Sequence, residues 1–178
     1  MTWTIIVLAV LALVLWGFYV SWRASRLDRL HNRTEAARTA LDLALVRRAS
    51  AAAELASSGQ LDPATSLLLA DAVRRARQAE VAERDLAESD LTRALRATLG
   101  APSDGDGDEP EDADVAAELL DEVEKAANQV FIARKFYNDV AGRTLDARRR
   151  PLARVLHLSG SARQPEFFEM DDELSDGD

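Results

Sequence analysis

Residues 3 to 20, WTIIVLAVLALVLWGFYV, form an unbroken apolar run without a single charge, and no other stretch restricts the fold of this chain so strongly. As a helix it extends about 27 Å, close to the hydrocarbon thickness of a bilayer. Trp3, Trp16, Tyr19 and Trp22 stand at its two ends, where aromatic rings favour the membrane interface. A cleavable signal would begin with a basic region and close on a small-residue site. Here only Met1 and Thr2 precede the run, and it meets Ser21, Trp22 and Arg23 without an Ala-x-Ala pattern. The expectation is an uncleaved anchor over residues 1–22. Arg23, Arg26, Arg29 and Arg33 follow it and no basic side chain precedes it, so the positive-inside rule sets the amino terminus outside a cell membrane crossed once, with the bulk of the chain cytoplasmic.

The net charge of -9 separates by region. Residues 103 to 114 (SDGDGDEPEDAD) and 166 to 178 (EFFEMDDELSDGD) each carry seven acids and no base, leaving 17 acids against all 22 bases elsewhere. The body is mildly basic, and the acidity sits in two appendages. Nucleic-acid binding would need the excess on one face together with a recognition motif, and no such motif is present. The partners expected are a membrane and a protein or a second copy of the chain, not a nucleic acid.

Beyond the anchor, Leu27, Leu30, Thr34, Ala37, Leu41, Leu45, Ala52 and Leu55 recur at helical spacing, with an interruption at Arg48. Ser57, Ser58 and Gly59 end this helix. Asp62-Pro63 starts another, with a capping carboxylate and a proline where the missing N–H costs nothing. Its inward positions are Leu69, Val73, Ala76, Ala79, Leu86, Ala94 and Leu95, and Gly100-Ala101-Pro102 stops it. A third stripe, Ala116, Leu119, Val123, Ala126, Val130, Ala133, Tyr137 and Val140, begins after the acidic loop 100–114. No alternation of period two persists, so no strand is expected.

Segments 23 to 57, 63 to 98 and 113 to 148 are nearly equal, each about 53 Å long as a helix. The fold expected is all-α: a transmembrane helix, then over residues 23–158 an antiparallel up-down bundle of three long helices plus a short helix from Pro151 to His157. Residues 159–178 read as an acidic, disordered tail. Three equal passes would bring the acidic loop back to the level of Arg23, Arg26 and Arg29. There a weak electrostatic latch, screened over a Debye length of about 8 Å, would form.

Catalytic chemistry finds little support. No cysteine is present, which removes thiolate nucleophiles and cysteine-ligated metals, and His31 and His157 lie far apart. Asp104-Gly-Asp106-Gly-Asp108 opens like a calcium loop. The motif then fails, with Glu109 where glycine belongs, Val115 where the bidentate glutamate belongs, and Pro110 between them. A solvated linker is the reading, and no metal or cofactor is expected. Arg148, Arg149 and Arg150 suit the negative end of a helix and are candidates for an anionic partner.

Residues 132 to 140, IARKFYNDV, resemble the Ala-Arg-x-x-Tyr-Asn signature in the last long helix of the LemA family. Leu45-Val46-Arg47-Arg48 is similar to that family's Leu-Lys-Arg-Arg, Pro151-Leu152-Ala153 to its proline-led segment, and Gln164 to Glu169 to its closing Pro-x-Phe-x, all in the same order. The family's Ile-Pro-x-Leu-Val and Tyr-Pro-x-Leu-Lys stretches are absent, and the acidic loop is additional. The resemblance implies a membrane-anchored helical bundle without established enzymatic activity, so no catalytic residue is carried over. Tyr137 and Asn138 are candidate interaction residues, alongside a structural reading in which Tyr137 packs in the stripe and Asn138 bonds to a neighbour. The function expected is a non-enzymatic interaction module; the alternative is a self-assembling coiled-coil scaffold of the envelope.

Overall fold

The computed structural model describes residues 2–100, 110–149 and 164–172, apart from the side chains of 20, 23–28 and 110–113. All regular structure among them is helical. The elements are α1 (Thr2–Ser57), α2 (Pro63–Gln78), α3 (Arg84–Gly100) and α4 (Pro110–Arg149). Thr2–Tyr19 of α1 is long and apolar enough to cross a membrane, and none of its residues is buried within the protein. Helix α1 continues from this segment without a break to Ser57, 56 residues in all.

The chain divides into two compact units, Met1–Ala37 with Asn138–Phe167, and Arg38–Tyr137 with Phe168–Asp178. In the first, the Thr34 and Thr144 hydroxyls meet at 2.9 Å; one donates to the other, which donates in turn to the carbonyl four residues earlier on its own helix, at 2.9 Å in either case. These bonds let two polar side chains be buried without cost from unpaired groups. The Phe167 ring lies against Gly142, where a side chain on α4 would narrow the contact.

The second unit holds the main core. Ala49, Ala52 and Leu55 of α1, Leu69, Val73 and Ala76 of α2, Leu91 and Leu95 of α3, and Val123 and Ala126 of α4 pack in one apolar cluster. The expected stripes of the first and last helices are the buried ones: Leu41, Leu45, Ala52 and Leu55 on α1, and Val123, Val130 and Tyr137 on α4. At the end of α1, Gly59 takes φ 81°, a left-handed conformation that few residues other than glycine adopt easily. The Ser58 hydroxyl and amide both donate to the Leu55 carbonyl there. Asp62 caps α2 by accepting from the amides of Ala64 and Thr65 at 3.0 and 3.1 Å; the Thr65 side chain first, and these amides after it, hold its carboxyl below its ordinary value.

The single helix expected over residues 63–98 is two helices. Ala79 is extended (ψ 132°), Glu83 donates to the Glu80 carbonyl in a turn, and Ala87 donates to the Glu83 carbonyl as α3 begins. Helices α2 and α3 then pack on one another, and Arg75 of α2 pairs with Asp90 of α3 at 3.8 Å. Neither glycine nor proline marks this break. Burying the apolar faces of two short helices against each other outweighs the helix propensity of Ala79–Glu83. Leu86, expected inward, is 64% exposed, while Glu88 and Thr92 are buried. The latch expected at Arg23, Arg26 and Arg29 involves a loop and, at Arg23 and Arg26, side chains outside the described residues. Loop residues 101–109 and the helix Pro151 to His157 lie outside the described residues.

Residues 164–172 also differ from expectation. Far from being a disordered tail, Phe168, Met170 and Asp172 are buried, and the segment is fixed by hydrogen bonds to α3 and α4. Phe168, Met170 and Asp172 stand at alternate positions, with Glu169 and Asp171 exposed between them, which is the period of two of an extended chain.

Candidate functional site

The interruption of the α1 stripe is the most buried charge among the described residues. Arg48 has 0% exposure. It donates from Nη1 to the Thr92 hydroxyl at 2.8 Å, and from Nη2 to the Glu88 carboxylate at 2.7 Å and the Glu88 carbonyl at 3.2 Å. Thr92 in turn donates to the Glu88 carbonyl, closing the network on α3. The Arg48 Nε finds no acceptor among the described residues. Removal from water lowers the Arg48 pKa from its ordinary value, opposed by the Glu88 charge and, less strongly, by Asp172. The same desolvation raises the Glu88 carboxyl above its ordinary value, with the Arg48 charge working against it. Such a pair fixes which faces of α1 and α3 meet and adds little net stability.

Beside Glu88 lies an open cleft of about 270 Å³, walled by Leu45, Val46 and Ala76. Its two arginines are already engaged. Arg77 donates to the Ala49 carbonyl and the Ser50 hydroxyl at 3.3 and 3.2 Å, and Arg84 pairs with Asp42 at 3.0 Å. The cleft therefore presents no converging set of uncommitted polar groups. Among the described residues no three metal-ligating side chains come together.

The tail segment occupies a second feature, formed by α3 and α4. The Glu169 amide donates to the Asp85 carboxylate at 3.1 Å, and the Asp171 amide to the Ser89 hydroxyl at 3.0 Å. These acceptors are four residues apart on α3, a rise of about 6 Å. Alternate amides of an extended chain repeat every 6 to 7 Å or so. The two periods match, and the segment runs along α3 in the same chain direction. Its carboxylates finish the contact: Asp171 accepts two bonds from Arg96 at 3.0 and 3.1 Å, and Asp172 accepts a two-point bond from Arg134 of α4 at 2.5 and 2.8 Å. The Asp172 side chain is 3% exposed and that of Arg134 20%.

The expected interaction residues are only partly among those described. Arg23, Arg26 and Arg150 have no described side chain, while Arg29 and Arg149 are exposed and Arg148 is half-buried. Asn138 is half-buried. Tyr137 is 1% exposed and its hydroxyl accepts from Arg38 Nη1 at 3.5 Å, so it serves packing within its unit and not a partner's surface. The residues that do form a recognition surface, Asp85, Ser89, Arg96 and Arg134, were not singled out by the sequence, although Arg134 lies inside the Ala-Arg-x-x-Tyr-Asn stretch. No family model, curated protein or solved structure matches the chain, so the site stands on its own geometry.

Proposed function

We propose that the protein is a non-enzymatic, membrane-anchored helical interaction module, a divergent relative of the LemA family. The observation that carries this is α1: one continuous helix leads from the apolar Thr2–Tyr19 segment to Leu55 in the core of the second unit. A helical protein that opens on such an apolar segment suits display at a membrane surface. The bundle faces the cytoplasm because Arg23, Arg26, Arg29 and Arg33 follow the anchor. No catalytic residue is assigned.

A cytoplasm-active reporter fused after Asp178 is expected to work and an export-dependent one to fail; the reverse would overturn the orientation. Crosslinking of the full chain in native membranes, followed by mass spectrometry, should recover a protein partner. Self-assembly is the second reading, favoured by Ile132 and Phe136, which stand one turn apart on α4 and are 58% and 57% exposed. Light scattering of the full chain in detergent decides between them, since a discrete oligomer at micromolar concentration favours the scaffold.

A further inference from the structure

The contacts along Phe168–Asp172 are those of a peptide on a receptor surface. Two main-chain amides are held by Asp85 and Ser89, and any residue other than proline supplies such a donor. Sequence enters at the alternate positions. Phe168 and Met170 are 6% and 8% exposed, and two guanidiniums, Arg96 and Arg134, take consecutive carboxylates. We propose that this surface of α3 and α4 is a peptide-binding groove for an extended acidic segment of a partner protein, with the pattern apolar-x-apolar-acid-acid, and that the chain's own tail occupies it as a tethered competitor. The proposal rests on the reading of the protein as an interaction module and names the chemistry of its partner.

Three observations argue for this occupant. The arginines are set for carboxylates, Arg134 with a two-nitrogen fork on Asp172 and Arg96 with one nitrogen shared by both oxygens of Asp171, contacts that a cationic or purely apolar ligand would not supply. The ligand must be extended, because the amide spacing matches a four-residue step on a helix only for a chain rising more than about 3 Å per residue. The bound segment is short and carries no regular structure of its own, so its hold depends on the groove and on being attached to the same molecule. Because it belongs to the same chain, such a ligand binds intramolecularly and competes at an effective concentration that a free segment must match. A partner segment must therefore outcompete it, or arrive where the tail has been modified or removed.

The test uses the full chain in detergent micelles and a fluorescein-labelled synthetic peptide of residues 164–178, followed by anisotropy at low salt. Three proteins are compared: the natural chain, a chain with F168A and D172A that disables its own tail, and that chain carrying R134A as well. The disabled-tail chain should bind the peptide at least tenfold more tightly than the natural chain. Adding R134A should remove most of this gain, and added salt should weaken binding. A D171N/D172N chain, whose tail keeps its apolar residues, guards against misfolding and should also gain peptide binding; circular dichroism verifies helical content. Equal, or absent, peptide binding by the natural and disabled-tail chains with helical content unchanged would overturn the groove. A partner recovered by crosslinking at another face would still leave the module reading standing. A tail-exchanged dimer of the natural chain, lost in the disabled-tail chain, would overturn the assignment to a partner protein in favour of a second copy.

Discussion

Arg48 and Arg134 each grip a carboxylate within the second unit, yet one pair joins two core helices and the other fastens five residues of extended chain onto a helical surface. The Arg48–Glu88 pair is closed to water on both sides, with side-chain exposures of 0% and 4%. Neither partner can leave without unpacking a helix, so removing either strands a charge where water cannot reach it. Arg134 keeps 20% exposure, and its partner sits on a segment that can lift away whole. Breaking that pair returns both groups to solvent. Similar chemistry therefore fixes a register in one place and makes a reversible contact in the other. The two are linked, since Asp172 contributes to keeping Arg48 charged.

The largest effect marks the upper limit of this comparison. Val130→Asp would place a carboxylate with no arginine at a position that is 0% exposed, destabilising the bundle by about 4–5 kcal/mol in chemical denaturation. Unchanged melting would refute the packing of α4. Glu88→Ala, which orphans Arg48, should cost about 3–5 kcal/mol, whereas replacing both partners at once, Arg48→Met together with Glu88→Leu, should be neutral or stabilising. If the double replacement were as damaging as the single one, the pair would contribute attraction and not merely register. Asp172→Ala should cost only about 1–2 kcal/mol, with rapid proteolysis near residues 164–172 and an intact helical signal. A loss as large as that of Glu88→Ala would erase the distinction between the two pairs.

A smaller effect separates the pairs by pH. Because burial raises the Glu88 pKa, the folded state binds a proton more readily there than the unfolded chain. The stability contributed by this group is fully present below the ordinary glutamate value and is lost as pH rises through the raised one. Glu88→Gln cannot ionise, so its melting temperature should gain on that of the natural protein as pH rises across this window. A difference that did not change with pH would contradict the raised value. Smallest of all, Asp121→Asn breaks only the exposed pair with Lys125 one turn away on α4 and should leave the melting temperature unchanged.

Much of this architecture was legible in residue spacing. The apolar run, the α1 stripe and the α4 stripe each depend on a strong local period, and the buried residues follow them from Leu41 to Leu55 and from Val123 to Val140. The break at Ala79–Glu83 left no trace because each of its residues tolerates a helix; packing between α2 and α3 decides it. Arg48 was visible as a flaw in a stripe, but its partners were not, since Glu88 and Thr92 lie some forty residues away and look like ordinary polar positions on a surface helix. The tail misled through composition. Its acids suggested solvation, whereas Phe168 and Met170 alternate over a run too short to register as a strand, and the arginines that receive the acids come from two different helices.

Native-state hydrogen exchange on the full chain in micelles tests the contrast most directly, because the tail amides of Glu169 and Asp171 and the core amides near Arg48 can be read in one experiment. The account predicts that the tail amides are protected but open at markedly lower free energy than the amides around Arg48, and that Asp172→Asn frees the former while leaving the latter protected. Tail amides that opened only with the core, or that showed no protection in the natural chain, would contradict it.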